Sequence, residues 1–298
     1  MDKIPFLILG SESDISGGHI YNRKIAEGVD FIELVYKKDT HDFFEFMDSY
    51  ADNQVKGKKK VMLIDAWGVH KGDVIPESIN FHLVVHLPLA LYDSNYRQSD
   101  IEVDWWKKAK GIIVPSMQVN SFVRSKTTTR VVCIPPGVEQ RINEKVRVKL
   151  VKEKKKDQLC MVGLGSYVEK KGDEILLRAL AQVNSPFQLI RVGSITDEVY
   201  YKSLLSLIDT YGLKDKVKLL GPVPHGEAIS TLSTADVGVF PTSYESYGMA
   251  IQESIAMNIP VLLTDLNDLR DRFGTRRVLY LQNTVQSWKE GISKCIEE

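Results

Sequence analysis

The sequence predicts an α/β protein built from two similar halves, each with its own parallel sheet. Three observations carry that prediction. Residues 235–265, ADVGVFPTSYESYGMAIQESIAMNIPVLLTD, read as strand, loop, helix, strand. Val237, Val239 and Phe240 form a buried-type apolar run, Pro241 to Gly248 is turn chemistry, and Met249 to Met257 holds helix formers without a breaker. Pro260 then opens a second run, Val261-Leu262-Leu263, and such a βαβ unit lays its two strands parallel in one sheet. The chain opens with the same layout: an apolar run from Ile4 to Leu9 ending at Gly10, a loop from Ser11 to Gly18, then Ile20, Tyr21, Ile25, Ala26 and Val29 at helical spacing. Between the halves, Lys145 to Lys156 is dense in lysine and poor in apolar residues, the composition of a linker.

In chain order, Phe31 to Tyr36 reads as the second strand and His41 to Tyr50 as a helix whose aromatics suit a core. Lys56 to Lys60 is a solvated basic run. Val61 to Asp65 and Phe81 to His86 are strands, and Leu87 to Arg97 is a loop carrying Tyr92, Tyr96 and Arg97. Trp105 and Trp106 fall on an amphipathic, packing helix. Gly111 to Pro115 and Arg130 to Ile134 are strands with a helix between them. In the second half, Leu159 to Val162, Phe187 to Val192, Lys216 to Leu220 and Val278 to Leu281 are strands. Helices are predicted after Gly172, over Tyr200 to Tyr211 with Gly212 as the stop, over His225 to Thr234, and over Val285 to Ile296. The segment after Asp265 through Arg277 is polar and charged, with no element assigned.

Composition narrows the function. The 43% apolar and 26% charged shares are those of a globular protein, and a formal net charge of zero argues against a general nucleic-acid binder. Cys133, Cys160 and Cys295 are widely spaced, odd in number and free of any CxxC pattern, which predicts reduced thiols and a cytoplasmic setting. The opening apolar run is too short for a signal peptide or a membrane span. The Lys145 to Lys156 run reads first as a solvated linker. Peripheral contact with anionic lipid, at the inner membrane face, is its alternative reading.

The chemistry concentrates at strand ends. In open α/β sheets ligands bind beyond the carboxyl ends of the strands. Glu245 lies in such a loop, and Gly248 opens a helix whose free N–H groups and positive dipole end suit an anion. Glu253 follows eight residues after Glu245. His86 ends a strand, whereas His82 is internal to it and reads as structural. Gly193 ends another strand. Gly163-Leu-Gly165-Ser-Tyr-Val168 invites a dinucleotide reading, but Val168 stands where the third glycine of G-x-G-x-x-G is needed, so NAD is rejected.

Glu245-Ser-Tyr-Gly-Met-Ala-Ile-Gln-Glu253 resembles the E-x7-E motif of retaining GT-B glycosyltransferases of the GT4 family, the glycosyl transferases group 1. The flanking Ala-Asp-Val, Pro-Thr-Ser and Asn-Ile-Pro-Val segments are similar to that family too. The likeness is close from Lys216 to Asp265, partial around Met161 to Leu180, and loose before Gly137. It implies two Rossmann-like domains with parallel sheets facing across a cleft. Residues 1–140 would form the acceptor side, 141–156 the linker and 157–284 the nucleotide-sugar domain, with helix 285–298 crossing back to the first domain. It also implies roles: Glu245 on the donor sugar, Glu253 on the ribose, and the Ser246, Tyr247, Gly248 and Met249 backbone on the diphosphate. Lys171, in Lys170-Lys171-Gly172 before a helix, would bind the departing diphosphate, where charge builds as the bond breaks. Gly17-Gly18-His19 resembles the glycine pair lining the donor phosphates, His86 the cleft histidine near the sugar, and Val223 the position that meets the base. Two departures stand out: Pro136 replaces an Asn in Pro135-Pro136-Gly137-Val138, and Leu164, Gly165 and Ser166 stand where an Arg is usual.

The resulting expectation is transfer of a sugar from a nucleotide-sugar donor to a saccharide, lipid-linked or small-molecule acceptor. The resemblance implies retention. No Asp-x-Asp occurs, so no metal and no cofactor are expected. The rivals are a nucleotide-sugar epimerase and a non-catalytic sugar-nucleotide-binding module, the latter favoured by the absent Arg.

Overall fold

The computed structural model describes residues 3–14, 16–52, 60–69, 79–92, 99–138 and 158–297, and the chain divides into two compact units, Met1–Pro136 and Gly137–Glu298. The lysine-rich stretch 145–156, the basic residues 56–59, Tyr96 and Arg97, and the side chain of Tyr92 lie outside the described residues.

The first unit is a parallel sheet of β1 (Ile4–Leu9), β2 (Ile32–Lys37), β3 (Val61–Asp65), β4 (Asn80–Val84), β5 (Gly111–Val114) and β6 (Val131–Cys133), in the order β2-β1-β3-β4-β5-β6. Its helices are α1 (Gly17–Glu27), α2 (Thr40–Asp52), the short α3 (Ala66–Val69) and α4 (Leu89–Tyr92), α5 (Ser99–Lys108) and α6 (Met117–Arg124). Alternate side chains of a strand point to opposite faces. Phe6 and Ile8 accordingly meet Tyr21, Leu63 and Val84 on one face. Leu7 and Leu9 meet Phe43, Met47, Met62, Trp105 and Trp106 on the other, which puts both tryptophans and the α2 aromatic Phe43 in the core as predicted. Covering both faces explains why the strands read as unbroken apolar runs. The predicted strand Phe81 to His86 is shorter in the structure, and His86 lies two residues beyond its end.

The second unit holds β7 (Leu159–Leu164), β8 (Phe187–Val192), β9 (Val217–Leu220), β10 (Val237–Phe240), β11 (Val261–Thr264) and β12 (Val278–Leu281), all parallel, in the order β12-β11-β10-β7-β8-β9. Helices α7 (Asp173–Leu180), α8 (Glu198–Thr210), α9 (His225–Leu232), α10 (Met249–Ala256), α11 (Asn267–Phe273) and α12 (Val285–Glu297) complete it. The order of connection reverses between β7 and β10, which pair directly through Val237 with Met161 and Gly238 with Val162. That is the position at which the loops of an open α/β sheet diverge and leave a crevice.

Helices α4 and α11 depart from expectation, α4 lying in the stretch 87–97 read as a loop. Helix α11 fills the segment left unassigned: Leu269 is buried and Phe273, one turn on, packs into the same small cluster, so a two-residue stripe fixes this short helix. Helix α12 packs on α7 and β12 within the second unit, with Trp288 and Ile292 buried beside Leu176 and Leu180. Its buried stripe is used against these elements.

Candidate active site

The two loops that leave the β7–β10 switch point are stitched together. After β7, the buried ring of Tyr167 anchors the first loop through its hydroxyl, 2.7 Å from the Leu220 carbonyl and 2.9 Å from that of Arg191. A 3-10 turn, Glu169–Lys171, follows. The Ser243 N–H and the Thr242 hydroxyl of the second loop donate to the Lys170 carbonyl at 2.8 and 3.1 Å. This brings Lys171 Nζ to 2.5 Å from Glu245 Oε2, joining residues 74 apart in the chain.

The electrostatics follow from that contact. Burial works to raise the Glu245 pKa, but the Lys171 charge and hydrogen bond, the Lys170 charge and the Tyr247 N–H outweigh it and hold the carboxyl below its ordinary range. Burial, and then the neighbouring Lys171, push Lys170 down, against the pull of Glu245. Two lysines against one glutamate leave a formal positive surplus beside a helix start.

That helix is α10. Gly248 caps it at φ +87°, a left-handed conformation that costs an L side chain about 1–2 kcal/mol. A Cβ there would also stand 3.0–3.1 Å from Ile251 and Phe273. The backbone Ser246 to Met249 therefore turns tightly into α10, whose first N–H groups have no acceptor within the helix. Arg272 of α11 donates to the Tyr247 carbonyl and lies over its ring at 5.1 Å, fixing this corner from outside. Asp268 stands 3.6 Å from Arg272; burial, with a contribution from Glu245, raises its pKa despite that guanidinium.

Glu253 is buried on α10 and bonded to His225 Nε2 at 2.8 Å. Val223 lies half-buried in the β9–α9 loop, two residues before that histidine. Gly193 abuts the β7 loop: a Cβ there would fall 1.9 Å from the Gly165 carbonyl, so only glycine fits. In the second unit the structure thus gathers Lys171, Glu245 and the Ser246 to Met249 turn at one place. Glu253, farther along α10, takes a separate partner, His225 of α9.

In the first unit, Gly17 and Gly18 open α1, capped by the Ser16 hydroxyl, which accepts from His19 N–H. A Cβ on Gly18 would meet the His86 ring at 3.3 Å, so the glycine leaves room for that histidine. Burial lowers the His86 pKa, opposed by Asp65 and aided by His19. Asn22 of α1 touches both His86 and Asp65.

Several residues were not legible in advance. Leu164, Gly165 and Ser166 stand where the resemblance implies an arginine. Arg191, from strand β8, reaches the Gly165 carbonyl at 3.4 Å instead. It is also paired with Asp173, with Nη2 3.0 Å from Oδ2 and both side chains buried. A charge inside the apolar run Phe187–Val192 was the available signal. For Asn22, His225 and Arg272 no local pattern existed.

A family model, described as glycosyl transferases group 1, matches residues 142–298. Among curated relatives, the phosphatidylinositol N-acetylglucosaminyltransferase GPI3 subunit of Saccharomyces cerevisiae is 22% identical over 171 residues, 56% of this chain and 38% of that protein. D-inositol 3-phosphate glycosyltransferase of Corynebacterium diphtheriae is 30% identical over 115 residues, 37% and 27% of the two chains. The chain thus spans under two fifths of the length of these relatives. Among solved structures, sucrose-phosphate synthase of Thermosynechococcus elongatus aligns with a TM-score of 0.80 at 17% identity, over 100% of this chain and 90% of that one. HepE of Anabaena, solved with UDP and glucose, gives 0.76 at 16% identity over the same shares. These likenesses show the two-domain GT-B fold. Matched over its entire second half, the chain belongs to the glycosyl transferases group 1 family.

Proposed function

We propose that the protein transfers a sugar from a nucleotide-sugar donor to an acceptor hydroxyl, with retention and without a metal. The observation that carries this reading is the convergence of Lys171, Glu245 and the α10 start at the β7–β10 switch point. A cation and free N–H groups suit a leaving diphosphate, and a carboxylate suits sugar hydroxyls. Family membership and a neighbour solved with UDP and glucose support a UDP-sugar as the first donor to try. The names of two relatives carry an inositol, so D-inositol 3-phosphate is the first acceptor. Retention is what the family resemblance implies, and metal independence is argued from the absence of Asp-x-Asp.

The test is a thermal-shift screen over UDP-, GDP-, ADP- and dTDP-sugars, since a ligand that binds the folded state raises its apparent stability. Release of nucleoside diphosphate on adding acceptor, undiminished by a chelator, is then expected. Glu245→Gln is expected to lower turnover at least about a hundredfold, the scale of losing one transition-state contact. Near-normal turnover would remove Glu245 from the site. A binding module without catalysis is the second reading, favoured by the engagement of Arg191 with Asp173. Donor binding with no diphosphate release against any acceptor class would select it.

A further inference from the structure

We infer that Asn22 and Asp65 are positioning residues that lock His86 in the Nε2–H tautomer and so present its Nδ1 as a hydrogen-bond acceptor. The geometry is a three-membered chain within the first unit. Asn22, with no exposed surface, stands between Asp65 at the end of β3 and His86 beyond the end of β4. Its Nδ2 lies 2.6 Å from Asp65 Oδ2, and its Oδ1 lies 2.8 Å from His86 Nε2.

Hydrogen-bond inventory fixes the polarity of this chain. A carboxylate oxygen only accepts, so the group of Asn22 that faces Asp65 must be the NH2. The amide oxygen then faces His86. An amide oxygen also only accepts, so Nε2 must carry the proton and donate. The direct Nε2 to Asp65 Oδ2 distance, 3.8 Å, is too long to compete. Asp65 is oriented in turn, because its Oδ1 accepts the Trp67 N–H at 2.9 Å. The ring itself is held by Tyr21, edge-on at 5.2 Å between centroids, whose hydroxyl donates to the Ile134 carbonyl at 2.6 Å. Burial lowers the pKa of the imidazole and so favours its neutral form, with the nearby His19 acting in the same direction and Asp65 against it. A neutral ring protonated on Nε2 has a lone pair on Nδ1, and Nδ1 makes no hydrogen bond among the described residues. Such an atom takes a hydrogen from a hydroxyl and offers none to a phosphate oxygen. That ligand chemistry rests on the proposed function; the tautomer does not.

The decisive variant is Asp65→Asn. The new amide keeps its oxygen on the Trp67 N–H, which turns an NH2 toward Asn22. Asn22 must then rotate, its own NH2 facing Nε2, and His86 is expected to switch to the Nδ1–H form. Selective nitrogen-15 labelling of histidine with long-range proton–nitrogen spectra near neutral pH reads the tautomer directly. The His86 signals are identified by their loss in His86→Gln. Wild type is expected to show Nε2–H, with that proton protected from solvent exchange, and Asp65→Asn to show Nδ1–H. If Asp65→Asn does not fold, Asn22→Ala is read instead, and the protected Nε2–H proton is expected to vanish. A wild-type Nδ1–H form, or a folded Asp65→Asn or Asn22→Ala with an unchanged pattern, overturns the inference. The spectra need no ligand, so failure of the proposed activity and failure of the lock are told apart.

Discussion

Glu245 carries the clearest pH signature. Its folded pKa lies below the ordinary 4.5, so the stability it contributes is full above that value and is lost as pH falls through the lower, folded value. Removing the partner reverses the balance, because burial then stands largely unopposed. Lys171→Met is expected to cost about 3 kcal/mol at neutral pH, the scale of leaving a mostly buried charge without its partner. The deficit should shrink in urea titrations run at successively lower pH, as Glu245 becomes protonated in both forms. A deficit that stays constant with pH would show that the pair does not set the Glu245 charge. What could be read in advance at this scale was the chemistry of single residues, not their partners. Glu245 and Lys171 were identifiable from their local motifs. Asn22 with Asp65 and Arg191 with Asp173 were not, because each pair joins residues 43 and 18 positions apart on different elements. No window of sequence contains the geometry that makes such a pair.

At the scale of elements, strands were the easiest to read, since a run covered on both faces is apolar throughout. Helix α11 escaped because seven residues with a single buried leucine give too little periodicity. The buried Asp173–Arg191 pair ties the start of α7 to β8 beneath the β7 loop. Arg191→Leu is expected to destabilise the protein by about 3–5 kcal/mol, since it strands Asp173 in the interior, and adding Asp173→Leu should recover much of the loss. Equal melting temperatures for the single and double variants would argue that the two do not act as a pair. The left-handed cap gives a second test: Gly248→Ala is expected to cost about 1–2 kcal/mol from backbone conformation, measured by urea unfolding. A larger loss would report the added crowding by Ile251 and Phe273.

For the whole molecule, each unit carries its own core, with Leu7, Phe43 and Trp105 in one and Met161, Leu180 and Trp288 in the other. Residues 137–298 expressed alone are therefore expected to melt in one cooperative transition and to keep a nucleotide-induced rise in melting temperature. A fragment that unfolds without a transition would show that this half depends on the other for its fold. The two-half plan was legible because the βαβ pattern recurs on either side of a lysine-rich stretch. The elements that α12 packs against, α7 and β12, were not, since an apolar stripe tells that a helix is covered and not by what.

The reversal of strand order has a temporal consequence. Strands β7, β8 and β9 come first in the second half, and the carboxylate that completes the ion pair arrives only with the loop after β10. A ribosome delivering this chain from its N-terminus would have released more than seventy residues after Lys171 before Glu245 could reach it. On the proposed function, competence to hold a donor is expected only once nearly the full half is made. A nascent chain stalled after β9 should gain no protection from any nucleotide sugar, however complete its first three strands.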